Sequence, residues 1–465
     1  MPFYLALFMR VAITTLGCKI NQYDSAAIQS RLESERHAVV PFDEAADFYI
    51  INSCTVTDRA DWEARQLVRR AKRLSPQARV LVTGCYAQVN PQEVARVPGV
   101  DFVVGLNRID ALMRFVNAPA AAQGIICVGD AKTATGIPLL TTRRLPGHTR
   151  AFLKVQEGCN YSCAYCIIPA ARGRSRSVPP DEILRQIAVL RAEGVAEVVL
   201  TGIHLGGYGR ELKPKTDLTT LLEKIADAGV IGRVRLSSLD PREVSHRLLR
   251  VVTQANVFCD HLHVCLQSGA DEILKAMRRN YDTAYYRDLL ERARASLPHA
   301  ALGSDIIVGF PGETEGSFAR SVEFLDSLPL TYFHVFPYSI RRGTLAADLP
   351  GHVSPVVKKQ RARIVRELGA KKRRDFYHRF IGKRLSVLLE RESDTGHWVK
   401  GYTRNYIPVV AQAQENCVNR ELEVQITGLE GNGALGVVMD GLNSGSNRSE
   451  PCAGSGSVAC SSHAG

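Results

Sequence analysis

"AFLKVQEGCNYSCAYCIIPAARG", residues 151–173, starts as an apolar strand and continues as a loop carrying Cys159, Cys163 and Cys166. The three thiols follow a C-x3-C-x2-C spacing straight after the strand. Three thiolates so spaced can wrap three corners of a cubane iron-sulfur cluster. One iron then has no protein ligand and is open to a substrate or cofactor, as a catalytic zinc keeps one position open. The competing reading is a structural zinc completed by Cys259, His261, His263 or Cys265 of "CDHLHVC".

Outward from this stretch, residues 148–340 alternate candidate strands with helical segments. The strands are "AFLKVQ", "EVVLTG", "RVRLSS", "HLHVCLQ", "LGSDIIVGF" and "YFHVFPYS". Between the first two, Ile183, Ile187 and Leu190 repeat at helical spacing after Pro179 and Pro180, which predicts a helix from Asp181 to Glu193. Six strands in this order predict a partial β/α barrel, whose working residues sit on the loops after the strands.

Residues 11–105 repeat the alternation on a smaller scale and predict a parallel sheet flanked by helices. Cys18 ends "VAITTLGC", Cys54 ends "FYIINSC" and Cys85 ends "RVLVTGC". Each lies just past the C-terminal end of a strand, so all three share one sheet edge, the usual ligand edge of open α/β folds. Three cysteines in matching positions point to a second cluster site rather than to three separate core residues.

Residues 118–147 read as a linker with at most one strand, "GIICVG". Residues 356–384 form a basic helical stretch, which is either a solvated face or an RNA contact. Residues 385–440 read as short strands of a small β-barrel, and the Ser/Gly-rich tail as disordered. In "GHWVKGYTRNYIPV", Trp398, Tyr402 and Tyr406 interleave with Lys400 and Arg404, a pattern suited to base stacking and phosphate contact.

A chain of 465 residues with 45% apolar content implies roughly two to four domains. The apolar run "FYLALF" at residues 3–8 is far shorter than the roughly 20 residues of a membrane span, and residues 1–8 read as an extension upstream of Met9. Twelve cysteines without an export signal favour metal-binding thiols over disulfides and a cytoplasmic, membrane-free setting. A net charge of +12 favours a polyanionic partner such as nucleic acid.

With Tyr165 before the last cysteine, the three-cysteine loop resembles the signature of radical S-adenosylmethionine (radical SAM) enzymes. Together, "TLGCKINQYDS", "INSCTVTDRAD", "TGCYAQ", "EGCNYSCAYCIIPAARGRSRS" and "SDIIVGFPGETE" resemble the methylthiotransferase family over residues 11 to about 440. The resemblance implies an α/β multidomain protein. Its parts would be an N-terminal parallel-sheet domain with an auxiliary cluster (9–117), a linker (118–144), a partial (β/α)6 radical SAM barrel (145–375), a small C-terminal TRAM β-barrel (376–441) and a tail (442–465). It implies two [4Fe-4S] clusters, one on Cys18, Cys54 and Cys85 and one on Cys159, Cys163 and Cys166, with S-adenosylmethionine on the second.

The strand-end loops then offer Gly202, Ser237, Gln267 and Asp305 for the cofactor pocket, with Tyr165 beside Cys166. Gly206, Gly207 and Gly209 are too weak a signal for a phosphate loop. Cys127, Cys259, Cys265, Cys417, Cys452 and Cys460 are given no ligand role. Around the first two cysteines the chain most resembles the members that act on N6-threonylcarbamoyladenosine at position 37 of tRNA. The alternatives are N6-isopentenyladenosine at that position and an aspartate of ribosomal protein S12. The implied partners are a tRNA anticodon loop and a flavodoxin- or ferredoxin-type electron donor. An RNA-binding protein stabilised by zinc, without catalysis, is the reading from another class.

Overall fold

The computed structural model describes residues 8–106, 108–118, 124–137, 149–392, 398–413 and 417–439. Much of the expected linker, the N-terminal extension before residue 8 and the tail with Cys452 and Cys460 lie outside the described residues. Strands β1 (Arg10–Thr15), β2 (Ala38–Val40), β3 (Phe48–Ser53), β4 (Arg79–Gly84), β5 (Phe102–Val104) and β6 (Ile125–Cys127) form a parallel sheet ordered β2-β1-β3-β4-β5-β6. Every residue of β3 and β4 is buried, which explains apolar runs without alternation, since helices cover both faces of such a sheet. The two faces hold separate cores, one around Tyr49, Ile51 and Val82, the other around Phe48, Leu81 and Phe102.

Two features of this sheet depart from the sequence reading. The three-residue β2 was not anticipated. The strand expected inside the linker, β6, pairs with β5 and completes the sheet. The chain after it is held by side chains from both neighbours: Gln88 Nε2 donates to Gly129 O (2.7 Å) and Arg176 Nη1 to Ala134 O (3.1 Å). Residues 124–137 of the segment read as a linker are therefore packed structure.

Strands β7 (Arg150–Glu157), β8 (Arg176–Ser177), β9 (Glu197–Gly202), β10 (Val234–Leu236), β11 (His261–His263), β12 (Ala301–Val308) and β13 (Tyr332–Pro337) build the second unit. All six expected strands are present, and only the two-residue antiparallel β8 is additional. The orders β10-β9-β7-β8 and β11-β12-β13 are joined by parallel bridges Val234–Phe258 and Leu239–Val264, giving an open barrel with β13 at its edge. The helix expected from Asp181 to Glu193 spans Pro180–Ala192.

Strands β14 (Arg384–Glu392), β15 (Trp398–Thr403), β16 (Pro408–Gln412), β17 (Glu421–Glu430) and β18 (Gly433–Val438) close into a barrel ordered β14-β15-β16-β18-β17. The basic stretch before it is one helix, Pro355–His378. Several of its cations are spent on the molecule itself: Arg361 pairs with Glu313 (2.7 Å), Lys358 Nζ donates to Tyr338 O (3.0 Å) and Lys372 Nζ to Leu328 O (2.9 Å). Its end supplies Phe376 and Tyr377 to the core of the closed barrel. A boundary at residue 376 thus falls inside a helix that serves both units.

The closed barrel docks on the N-terminal ends of the open barrel's strands. Glu197, wholly buried, pairs with Arg233 and Arg235. Arg233 also reaches Glu421 (2.7 Å) and Tyr402 O (2.8 Å), and Arg235 donates to Arg404 O (3.0 Å). Arg404 donates to Asn256 O (2.6 Å) and Gly232 O (3.1 Å), and the Arg235 guanidinium lies 4.9 Å from the Tyr406 ring centre. The expected RNA role of Arg404 is corrected here: backbone carbonyls engage its guanidinium at a domain interface, while Tyr406 packs beside Arg235. Lys400 stays exposed.

Candidate active site

The cysteine loop leaves β7 through Gly158, whose φ is +73° and where a Cβ would lie 2.0 Å from Arg174 O, so only glycine fits. Backbone bonds fix the loop at both ends: Cys159 N donates to Gly173 O (3.0 Å), Ala164 N to Met277 O (3.0 Å) and Ala346 N to Ala164 O (2.8 Å). Arg279 Nη1 donates to Cys163 Sγ (3.1 Å), while its guanidinium pairs with Asp240 and lies 4.8 Å from the Tyr281 ring centre. Burial disfavours charge on His204, yet bonding to Cys159 and Glu243 prevails and raises its pKa to about 9.

Beside this loop lies a cavity of about 220 Å³ lined by Tyr165, Cys166, Gln267, Asp305 and Ile307, with Phe336 to Ser339 from the end of β13. Val56 and Thr57 of the first unit close it, with Arg341, which follows β13, is buried and pairs with Asp61 (2.6 Å). Three of the five expected pocket residues, Tyr165, Gln267 and Asp305, therefore share one cavity with Cys166. Asp305 accepts from His263 Nε2 (3.0 Å), His334 Nδ1 (3.2 Å) and Cys265 Sγ (3.1 Å). Burial would raise its pKa, but these partners hold the carboxyl well below the usual range.

Gly202 and Ser237 are not among the residues lining that cavity. Gly202 admits the Gln156 side chain, whose Oε1 would lie 3.0 Å from a Cβ there. Ser237 keeps a buried hydroxyl with no partner among the described residues.

On the first sheet, Cys18 caps the helix Lys19–Ser34, Cys54 follows β3 and Cys85 follows β4. Parallel register levels the strand ends, with Thr15 beside Asn52 and Ser53 beside Gly84. Gly17 and Gly84 take φ of +101° and +91°, and a Cβ at Gly17 would lie 2.9 Å from Cys54 Sγ. Burial, then the neighbouring Cys85, pushes the Cys54 thiol up to about 12. Burial likewise raises Cys85, against the nearby Arg172 guanidinium.

Arg172 was missed by the sequence reading, which gave it no role. It ends the short helix Ile168–Arg172 just after the cysteine loop, is wholly buried, and reaches back to the first sheet's helix. Its Nη2 donates to Asn21 Oδ1 (2.6 Å) and Asp24 Oδ2 (3.1 Å), and it pairs with Glu157. Lys154, also buried, bridges Asp24 (2.7 Å) and Glu157 (2.8 Å). Buried charges persist only when paired, so this network clamps the two cysteine trios together.

The two trios suit clusters better than single ions. Around one zinc with bonds of about 2.3 Å, ligand sulfurs would sit about 3.8 Å apart. Among the described residues, the group whose ligand atoms all lie within 4.8 Å is His263, Asp305 and His334, and it contains no cysteine. Burial also pushes the Cys166 thiol up to about 12. Such thiols ionise when a bound metal compensates their charge, as iron does.

Residues 153–325 match the Radical SAM superfamily, and residues 10–105 match the family described as Uncharacterized protein family UPF0004. The radical S-adenosylmethionine methyltransferase TsrM from Kitasatospora setae, solved with cobalamin and a [4Fe-4S] cluster, shares the fold with a TM-score of 0.53 at 16% identity over 73% of this chain and 77% of that one. An open β/α barrel with three cysteines after its first strand, matched to that superfamily, defines a radical SAM enzyme. Threonylcarbamoyladenosine tRNA methylthiotransferase MtaB of Bacillus subtilis (strain 168) is 36% identical over 90% of this chain and 93% of its own. Its namesake from Aquifex aeolicus (strain VF5) is 39% identical over 86% and 96%. A tRNA-2-methylthio-N(6)-dimethylallyladenosine synthase from Carboxydothermus hydrogenoformans is 33% identical over 89% and 96%. The chain belongs to the radical SAM methylthiotransferase family, with S-adenosylmethionine and [4Fe-4S] clusters as cofactors.

Proposed function

We propose that this enzyme methylthiolates carbon 2 of N6-threonylcarbamoyladenosine at position 37 of tRNA. The observation that carries the proposal is the Arg172 clamp, which holds a second cysteine trio against the radical SAM loop. The names of its MtaB relatives supply the substrate. The units keep the boundaries given above, except that β6 joins the first and the helix Pro355–His378 is shared by the second and third.

Cys18, Cys54 and Cys85 would hold one cluster, and Cys159, Cys163 and Cys166 the other. When bound, the clusters and S-adenosylmethionine supply radical and methylthio-transfer chemistry that side-chain acids and bases lack. The protein's part is positioning. Asp305, kept ionised by His263, His334 and Cys265, offers a fixed acceptor in the cavity. Tyr165 and Gln267 offer a ring and an amide there. Ile307, Phe336 and Pro337 give that cavity an apolar wall.

No helix among the described residues is long and apolar enough to cross a membrane. The reading places the enzyme in the cytoplasm, supplied with electrons by a flavodoxin or ferredoxin. Nucleoside analysis of tRNA from cells lacking the gene tests it: the 2-methylthio derivative of threonylcarbamoyladenosine should vanish and return on complementation. Its persistence would refute the proposal. Loss of the isopentenyladenosine derivative instead would favour the second reading, which the Carboxydothermus relative supports.

A further inference from the structure

A second cavity, of about 280 Å³, opens where the edge strand β13, the end of the basic helix and the closed barrel meet. Its walls carry Tyr332, Tyr377, Tyr402 and Tyr406, with His334 and Arg373. That volume is in the range of a single small ligand or one base, too small for a folded element. The Tyr402 and Tyr406 rings stack at 5.4 Å, with Tyr332 6.2 Å from Tyr406, so aromatic surface lines the space. Arg373 makes no hydrogen bond or ion pair with a described residue, unlike Lys358, Arg361 and Lys372 on the same helix. An aromatic cradle with a free guanidinium is the chemistry that holds an unpaired base and its phosphate.

The cavity is connected to the reaction site. Tyr332, His334 and Phe336 alternate along β13 and share one face of it, about 7 Å apart at the usual strand rise. Tyr332 and His334 line this cavity, Phe336 lines the cavity beside Cys166, and His334 contacts Asp305 between them (3.2 Å). One edge strand therefore joins the two sites by a path about two residue pairs long.

We propose that this cavity takes an RNA base neighbouring the target nucleotide, stacked among Tyr332, Tyr402 and Tyr406, with Arg373 on its phosphate. The inference rests on the tRNA reading above. The test uses reconstituted full-length enzyme and an anticodon stem-loop RNA carrying N6-threonylcarbamoyladenosine, with 2-aminopurine at each adjoining position in turn. Binding should change the fluorescence at one of these positions, and Tyr402→Leu should abolish that change. Arg373→Gln should weaken binding about tenfold and lower the slope of log affinity against log salt by about one. Arg363→Gln removes an exposed charge from the same helix and should change affinity less than twofold.

Equal effects of the two arginine changes, or fluorescence unaltered by binding at every position, would overturn the cavity assignment. If wild-type enzyme methylthiolates the stem-loop while these signals are absent, the assignment fails and the function stands. If wild-type enzyme neither binds nor modifies it, both fail.

Discussion

The two cysteine trios face each other across one buried salt-bridge network, but they are assembled in opposite ways. Cys159, Cys163 and Cys166 come from a single loop pinned by its own backbone bonds to Gly173 and Met277. Cys18, Cys54 and Cys85 come from three strands and meet because parallel register brings the strand ends level. A locally encoded site tolerates disturbance elsewhere, whereas a site made by topology depends on every pairing that aligns it. The N-terminal trio should therefore be the more fragile of the two.

The largest break comes from the clamp. Arg172→Met leaves Glu157 and Asp24 sharing only Lys154, and removing one partner from a buried ion network costs about 3–5 kcal/mol. Chemical denaturation should show that loss together with iron lost from the N-terminal trio, and an unchanged midpoint would contradict the clamp.

Glu197 tests the opposite end of the open barrel. Burial opposes its charge, but Arg235 and Arg233 hold its pKa down to about 2. A depressed carboxyl contributes stability that is fully present above its unfolded pKa, near 4.5, and is lost as pH falls from there toward about 2. The contribution is on the order of 3 kcal/mol. Glu197→Gln should flatten that acid limb and destabilise the enzyme at neutral pH, while iron content stays constant. An acid limb like that of the wild type would show that Glu197 is not the group responsible.

Gly84→Ala sharpens the contrast between the trios. Its Cβ would sit 2.2 Å from Ser53 O at a φ of +91°, a strain of roughly 1–3 kcal/mol placed directly before Cys85. Iron at the N-terminal trio should fall while reductive cleavage of S-adenosylmethionine at the loop continues; equal loss of both would remove the distinction. The smallest effects belong to Cys127, Cys259, Cys265 and Cys417, whose replacement by Ala should leave the iron content unchanged. Loss of about half the iron from any of them would reassign the ligands.

Much of this was legible in the sequence because the informative signals were short in range. Strand, helix and cysteine spacing each occupy a few residues, so the six barrel strands could be read directly and both cysteine trios proposed. Arg172, Arg279 and Arg341 could not, because what distinguishes them from surface charges is burial beside partners distant in the chain. Arg404 erred the other way: its place in an aromatic and basic pattern suits RNA, but the docking of two barrels consumes its guanidinium. Gly202 shows a further limit, since a glycine at a strand end serves packing or a ligand equally well until its neighbour, Gln156, is known.

The most direct test of the central claim is iron and acid-labile sulfide per chain after anaerobic reconstitution, with wild type beside the Cys159, Cys163, Cys166 triple-Ala variant. The account predicts about eight iron atoms in the wild type and about four in the variant, two cubane clusters held independently. About four falling to none, or zinc in place of iron, would mean that Cys18, Cys54 and Cys85 hold no cluster, and the two-trio account would fail.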